Sequence, residues 1–103
     1  MNPAAGALLI VKFSTALSLE EVMARSEQRM PDFRALPGLL QKHYCREEQT
    51  GEVAGVYVWD SRASLEAFLA GDLRESIAAI YEIQGAPRVE VLDVVANLRP
   101  AAR

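Results

Sequence analysis

Residues 55–69, GVYVWDSRASLEAFL, contain the change of hydrophobic period that decides the fold. Residues 55–59 alternate as a strand does, whereas Leu65, Phe68 and Leu69 recur at helical spacing. Asp60 and Ser61 stand between the two patterns, where a side-chain oxygen can cap the free amides of a new helix. The stretch therefore predicts a strand that passes into a helix through a joint of one or two residues.

The composition is that of a small globular domain. The chain has 103 residues, 50% hydrophobic and 24% charged, with a formal net charge of -3, so we expect one domain over residues 1–103. The acidic balance and the scattered basic residues argue against nucleic acid or an acidic membrane as a partner. One cysteine and one histidine exclude an intrachain disulfide and a cysteine-based zinc site, and no metal site is expected. The first residues have no positive segment before an apolar run, so the predicted location is cytoplasmic.

The first half of the chain predicts a strand, a helix and a hairpin. Residues 7–13 form an apolar strand, expected to be buried on both faces, with Lys12 as its exception. The capping box that starts at Ser18 begins a helix, which should stop or kink at Met30 because Pro31 follows. Residues 39–47 and 53–59 then predict two antiparallel strands joined by a polar loop.

The second half adds one interrupted helical region and one strand. The helix that follows Ser61 should break at Gly71, and a second helical piece should end at residues 85–87, Gly-Ala-Pro. Residues 89–95 predict the last strand. The order β-α-β-β-α-β predicts an α+β, ferredoxin-like fold with a four-stranded antiparallel sheet.

One face of such a sheet has no helices to cover it. The first strand is apolar on both faces, and the third carries valines on one face and aromatic residues on the other. An uncovered apolar surface of this size is unusual on a monomer. A second copy packed sheet to sheet about a two-fold axis would cover it, so we expect a homodimer.

Several side chains are candidates for a site. Histidine is the side chain best suited to proton transfer near neutral pH, so His43 is the candidate base, the alternative being a hydrogen-bonded surface or interface residue. Tyr57 and Trp59 share a face and either stack on an aromatic ligand or fill the core or the dimer interface. Tyr44 and Tyr81 carry hydroxyls that either orient a substrate or reach solvent.

Arg46 also has two interpretations. It either holds an anionic substrate or pairs with Glu52 across the hairpin, and the ion pair is the expectation. Cys45 is expected to be an inert thiol.

Residues 55–69 resemble the dimeric α+β barrel superfamily, and within it the YdhR-like monooxygenases, which are related to the antibiotic biosynthesis monooxygenases. Residues 36–44, LPGLLQKHY, fit the end of the first helix and the second strand of that pattern, and residues 51–55, GEVAG, fit its hairpin. The resemblance covers nearly the whole chain, but its motifs are structural. It therefore implies the fold more strongly than the chemistry.

The resemblance implies a dimeric barrel with a pocket in each subunit between the sheet and its helices. The implied function is that of a cofactor-independent monooxygenase acting on a small phenol- or hydroquinone-like aromatic molecule. No metal or flavin is then expected, because an electron-rich phenolate can reduce dioxygen itself while the protein supplies a dry pocket, orientation and a base. The alternative is a non-catalytic ligand-binding or interaction dimer of the same fold.

Phe68 takes the place of a functional residue of the haem-degrading relatives. Their tryptophan falls at Phe68 and their iron-binding histidine at Ala78, so haem oxygenation is not expected. Phe68 is instead counted with the residues expected to bind the aromatic substrate, which are Tyr44, Tyr57, Trp59, Phe68 and Tyr81.

Overall fold

A four-stranded antiparallel sheet with the strand order β2-β3-β1-β4 forms the frame of the protein in a computed structural model that describes residues 4–99. Its strands are β1 (Ala7–Thr15), β2 (Leu39–Arg46), β3 (Val53–Trp59) and β4 (Ile83–Asp93). The helices are α1 (Leu19–Arg34), α2 (Arg62–Leu69) and the single turns α3 (Asp72–Glu75) and α4 (Ile77–Ile80). The predicted ferredoxin-like α+β fold is confirmed.

The helices pack on one side of the sheet, which we call the helix face; the opposite side is the outer face. On β1 the residues of the helix face are buried, namely Ala7, Leu9, Val11 and Phe13. Leu8 and Ile10, on the outer face, are only half-buried in the single chain. The single chain therefore buries one face of β1 fully and the other only in part, whereas the sequence predicted burial of both.

The joint after β3 forms as the sequence predicts. The Ser61 hydroxyl accepts a hydrogen bond from the amide of Ser64 at 3.2 Å and caps α2. The Asp60 amide donates to the carbonyl of Gly38, and the Gly6 amide donates to the carbonyl of Trp59. The joint therefore ties the start of β1 and the turn before β2 to the end of β3.

The first helix runs past the position where the sequence predicted its end. Pro31 lies inside α1, which continues to Arg34, so of the two predicted outcomes, a stop or a kink at Met30, the stop is wrong. A proline within a helix costs roughly 3 kcal/mol. The extra turn buries the Phe33 ring, 6.0 Å from the Tyr57 ring and 6.1 Å from the Phe68 ring, and packing of this kind offsets the missing hydrogen bond.

The last strand begins earlier than predicted. It starts at Ile83 and not at residue 89, so residues 85–87 lie within β4 and do not precede it. Gly85 has a φ of 73°, and the register with β1 shifts between Lys12 and Ser14. The glycine conformation allows a bulge at this point, so the Gly-Ala-Pro segment bends the strand without ending it.

Residues 4–99 contain neither a membrane-spanning helix nor a cluster of metal-binding side chains. No helix in this part of the chain is long and apolar enough to cross a membrane. The same residues hold no group of three or more histidine, cysteine, aspartate or glutamate side chains that could bind a metal ion.

Candidate active site

A cavity of about 240 Å³ lies between the helix face of the sheet and α1. Its walls come from β1, β2, β3, α1 and the segment around α4, and they are mainly apolar. Drug-sized ligands occupy sites of roughly 300–1,000 Å³, so this cavity suits a smaller molecule. The aromatic residues of the wall are Phe13, Tyr44, Tyr57 and Tyr81, and the principal polar side chains are Ser26, Lys42 and Arg46.

Lys42 is the basic group inside this cavity. It lies on the helix face of β2, and its Nζ is 3.5 Å from the centre of the Phe33 ring, 4.5 Å from that of Tyr44 and 4.7 Å from that of Tyr57. Among residues 4–99 no carboxylate forms a salt bridge with it. Burial lowers the pKa of Lys42 from 10.5 to about 7. The aromatic faces attract an ammonium ion, but the loss of water outweighs that attraction.

Tyr57 is a neutral hydrogen-bonding group in the cavity wall. Burial raises its pKa far above the ordinary value, and the neighbouring Tyr81 and Tyr44 raise it further. Its ring lies over Gly55, where a Cβ would come within 2.9 Å of the ring edge and 3.4 Å of the hydroxyl. Gly55 therefore permits the close approach, and Tyr57 keeps its proton at neutral pH.

Tyr81 is held by a buried hydrogen bond. Its hydroxyl lies 2.6 Å from that of Ser26, and the Ser26 hydroxyl lies 2.8 Å from the carbonyl of Val22. A serine hydroxyl has one proton. If that proton goes to the Val22 carbonyl, Tyr81 donates to Ser26 and its oxygen remains available to accept a hydrogen bond. The Tyr81 ring also stacks on Phe13 at 5.3 Å between centroids.

Two of the predicted substrate-binding residues lie outside the cavity wall. Trp59 is fully buried and Phe68 almost so, and their rings are 5.4 Å apart. Both rings also contact Tyr57, at 6.3 Å and 5.2 Å. Trp59 and Phe68 therefore continue the aromatic wall into the core and support Tyr57, whereas Tyr44, Tyr57 and Tyr81 line the cavity itself.

His43 lies on the other side of β2. It is exposed on the outer face, opposite Val56 in the register with β3. The structure therefore does not bring the predicted base to the cavity. The basic group that is found there, Lys42, has the neighbouring position in the sequence.

The alternation of β2 was the signal that could have identified Lys42. Residues 42, 44 and 46 alternate onto one face of the strand, and Tyr44 was already a candidate for the site. A lysine on the same face as a candidate substrate-binding tyrosine was therefore predictable as a cavity residue. Its burial was not, because burial depends on how α1 packs over the strand.

Arg46 does not form the predicted pair with Glu52. Glu52 instead accepts hydrogen bonds from Arg88 at 2.7 Å and from Thr50 at 3.0 Å. Arg46 pairs in register with Val53, the first residue of β3, and Glu52 lies in the loop just before that strand. Arg46 is therefore left exposed at the edge of the cavity.

Comparison with solved structures shows the same fold in known oxygenases. SnoaB, a cofactor-independent oxygenase from Streptomyces nogalater, has a TM-score of 0.71 at 14% identity, over 94% of this chain and 100% of that chain. The monooxygenase of ActVA-Orf6 from Streptomyces coelicolor, solved with nanaomycin D, has a TM-score of 0.67 at 17% identity, over 94% of each chain. An antibiotic biosynthesis monooxygenase homologue from Deinococcus radiodurans has a TM-score of 0.69 at 14% identity, over 93% of this chain and 99% of that chain.

The sequence itself was compared with curated proteins and with protein families. The comparison with curated proteins finds no match. The family model described as "Putative mono-oxygenase ydhR" matches residues 8–98, which is most of the chain. This chain therefore belongs to the ydhR mono-oxygenase family.

Proposed function

We propose that the protein is a cofactor-independent monooxygenase that oxidises a small phenol or hydroquinone in the cavity between the sheet and α1. The observation that carries the proposal is the Lys42 amine, which has no salt bridge within residues 4–99 and lies against the cavity-wall rings of Tyr44 and Tyr57 and the adjoining ring of Phe33. An amine with a pKa of about 7 is an effective general base near neutral pH. Membership of the ydhR family and the shared fold of SnoaB support the choice of reaction.

The chemistry requires a deprotonated substrate and dioxygen. The Lys42 amine takes the phenolic proton and becomes an ammonium ion beside the phenolate. The phenolate transfers electrons to dioxygen, and a carbon–oxygen bond forms at an activated ring carbon that carries two hydrogens in its keto form. One oxygen atom becomes the carbonyl oxygen of the product, and the other leaves as water with those two hydrogens, one of which the Lys42 ammonium ion returns, so no external reductant is needed.

The tyrosines of the cavity would orient this substrate. Tyr57 keeps its proton and can donate a hydrogen bond to the developing negative charge. The Tyr81 oxygen, held at Ser26, can accept one from a second hydroxyl of a hydroquinone. Tyr44 completes an aromatic wall against which a flat ring can stack. This assignment gives the base to Lys42, because His43 is exposed on the outer face.

The proposal includes a homodimer formed through the outer face. Half-buried apolar residues of β1 and β3 meet there in register, Ile10 opposite Val56 and Leu8 opposite Val58. Leu92 continues the surface on β4 and is 48% exposed. Val95 and Leu98 follow in the chain and are 96% and 99% exposed. A second copy is the partner that such a self-complementary surface favours.

Oxygen uptake with a panel of hydroquinones and anthrone-like phenols tests the proposed reaction. We expect the wild type to consume oxygen. The rate should decrease at least about 100-fold in Lys42→Met, which is the usual effect of removing a general base. The rate should be nearly unchanged in His43→Gln. A large loss in His43→Gln with normal Lys42→Met activity would return the role of base to the histidine. Ligand-dependent thermal stabilisation without any uptake would favour the non-catalytic binding dimer.

A further inference from the structure

The charges of the cavity are opposite in sign to those of the whole chain. The protein carries a formal net charge of -3, yet the ionisable side chains that line the cavity include Arg46, which is fully charged, and Lys42, which is partly protonated near neutral pH. No acidic side chain is among the described residues of the wall. A groove that adjoins the cavity at Lys42 and Tyr44 adds Arg34 and again no acidic residue. Such a concentration of positive charge on an acidic protein favours a negatively charged ligand.

We propose that the substrate is an aromatic acid, whose carboxylate is held by Arg46 while its phenolic ring extends towards Lys42. The inference rests on the proposed function, because it specifies the substrate of the same cavity. It adds a second anchoring point and a chemical class, a phenol that carries an acidic group at the opposite end from its hydroxyl.

The spacing of the two basic residues supports this orientation. Lys42 and Arg46 lie four residues apart on the same face of β2, which places their Cα atoms about 13 Å apart. Lys42 is half-buried and Arg46 is exposed, so the lysine marks the inner end of the cavity and the arginine its mouth. Tyr44 lies between them on the same face of the strand and also lines the cavity.

The binding capacity of Arg46 is not used within the described part of the chain. The carboxylate expected to neutralise it, that of Glu52, is bound to Arg88. No other salt bridge in residues 4–99 includes Arg46. A guanidinium offers paired N–H groups that match a carboxylate. Arg46 is therefore available to hold the acidic group of a ligand that enters the cavity.

Equilibrium binding of matched ligands tests the proposal without requiring turnover. The probes are para-coumaric acid, which has a phenol and a carboxylate at opposite ends, and its neutral methyl ester, each titrated calorimetrically under nitrogen. We expect the acid to bind the wild type about tenfold more tightly than the ester, the size of one charge-assisted hydrogen bond. The preference should decrease with added salt.

Variants of Arg46 and a matched arginine complete the test. Arg46→Gln should remove the preference for the acid and leave the affinity for the ester unchanged, and Arg46→Lys should retain part of it. Arg62→Gln, which removes an exposed arginine outside the cavity wall, should bind both ligands as the wild type does. Equal affinities in the wild type, failure of the acid to bind, or a preference that survives in Arg46→Gln would overturn the proposal.

The outcome is separable from that of the proposed reaction. A preference for the acid without any oxygen uptake would remove the monooxygenase and retain the ligand class. Oxygen uptake with no preference for the acid would retain the monooxygenase and remove the ligand class.

Discussion

Lys42 and Tyr57 lie opposite each other in the register of β2 and β3, with the lysine nitrogen 4.7 Å from the centre of the tyrosine ring. Burial favours the neutral form of both groups, because it lowers the pKa of the lysine and raises that of the tyrosine. Near neutral pH the pair therefore combines a group that can accept a proton with one that donates a hydrogen bond. The first role is that of a general base, and the second can stabilise negative charge that develops on a bound ligand.

The stability of the protein should report the burial of Lys42. Its pKa is about 7 in the folded protein and 10.5 in the reference state, so between these values the unfolded chain binds more protons. The free energy of unfolding should then increase with pH above about 7, by less than about 1.4 kcal/mol per pH unit because the residue is partly exposed. Below that range the cost of burying the ammonium ion is fully present.

Urea unfolding of the wild type and Lys42→Met between about pH 6 and about pH 10 measures this effect. The variant should be the more stable protein at the acid end, and the difference should narrow as the pH rises. Lys12→Met, which removes a lysine from the outer face, is the matched control. If the stability difference between Lys12→Met and the wild type narrowed by the same amount, the effect would come from the loss of a charge and not from burial.

The rate of oxygen uptake should depend on the protonation of Lys42. Only the neutral amine can accept the substrate proton, so kcat/KM should rise with pH through an apparent pKa near 7. The residual activity of Lys42→Met should lack this rise with pH, whereas the activity of His43→Gln should retain it. Loss of the rise with pH in His43→Gln would contradict the assignment of Lys42 as the base.

The Ser26–Tyr81 hydrogen bond should contribute measurably to stability. Ser26→Ala leaves the buried Tyr81 hydroxyl without its partner at 2.6 Å and should lower the free energy of unfolding by about 1–3 kcal/mol. In a double-mutant cycle with Tyr81→Phe, the combined loss should be smaller than the sum of the single losses. Ser14→Ala, at an exposed position, should change stability by less than about 0.5 kcal/mol. Additive losses would mean that the two hydroxyls are not coupled.

The dimer should depend on the centre of the outer face. Val56→Asp introduces a charge opposite Ile10, and burying an unpaired carboxylate in a dimer interface is strongly unfavourable. Sedimentation should show a dimer for the wild type and a folded monomer for the variant. Gln28→Glu, which adds a negative charge on the exposed side of α1, should remain dimeric. A wild type that sediments as a monomer at micromolar concentration would exclude the homodimer.

Local patterns in the sequence predicted the fold because each strand and helix has its own period and cap. The joint at Asp60 and Ser61 appears where the period changes, and Ser18 caps α1 by accepting the Glu21 amide. The errors occurred at Pro31 and Gly85, where tertiary packing or a bulge outweighed a local breaking signal. Such outcomes depend on residues distant in sequence.

The candidate site was less predictable than the fold. Aromatic side chains at Tyr44, Tyr57 and Tyr81 were expected to meet a ligand, and all three line the cavity. The base was predicted at His43 from side-chain type alone, whereas the burial that lowers the pKa of Lys42 depends on how α1 and β3 pack around it. Arg46 was assigned to Glu52 across the hairpin, but Arg46 lies opposite Val53 and the Glu52 carboxylate is bound to Arg88.

The sheet and its joint form a frame, whereas the cavity wall next to the short turns α3 and α4 can change without disturbing that frame. The joint at residues 59–61 holds the sheet at one end through backbone hydrogen bonds that do not depend on most side chains. The cavity at the other end is closed partly by Ile77 and Tyr81, which lie in and after a helix of only four residues. Substitutions in this wall can alter the size and polarity of the accepted ligand while the frame stays intact. A change of ligand preference therefore does not require a change of fold.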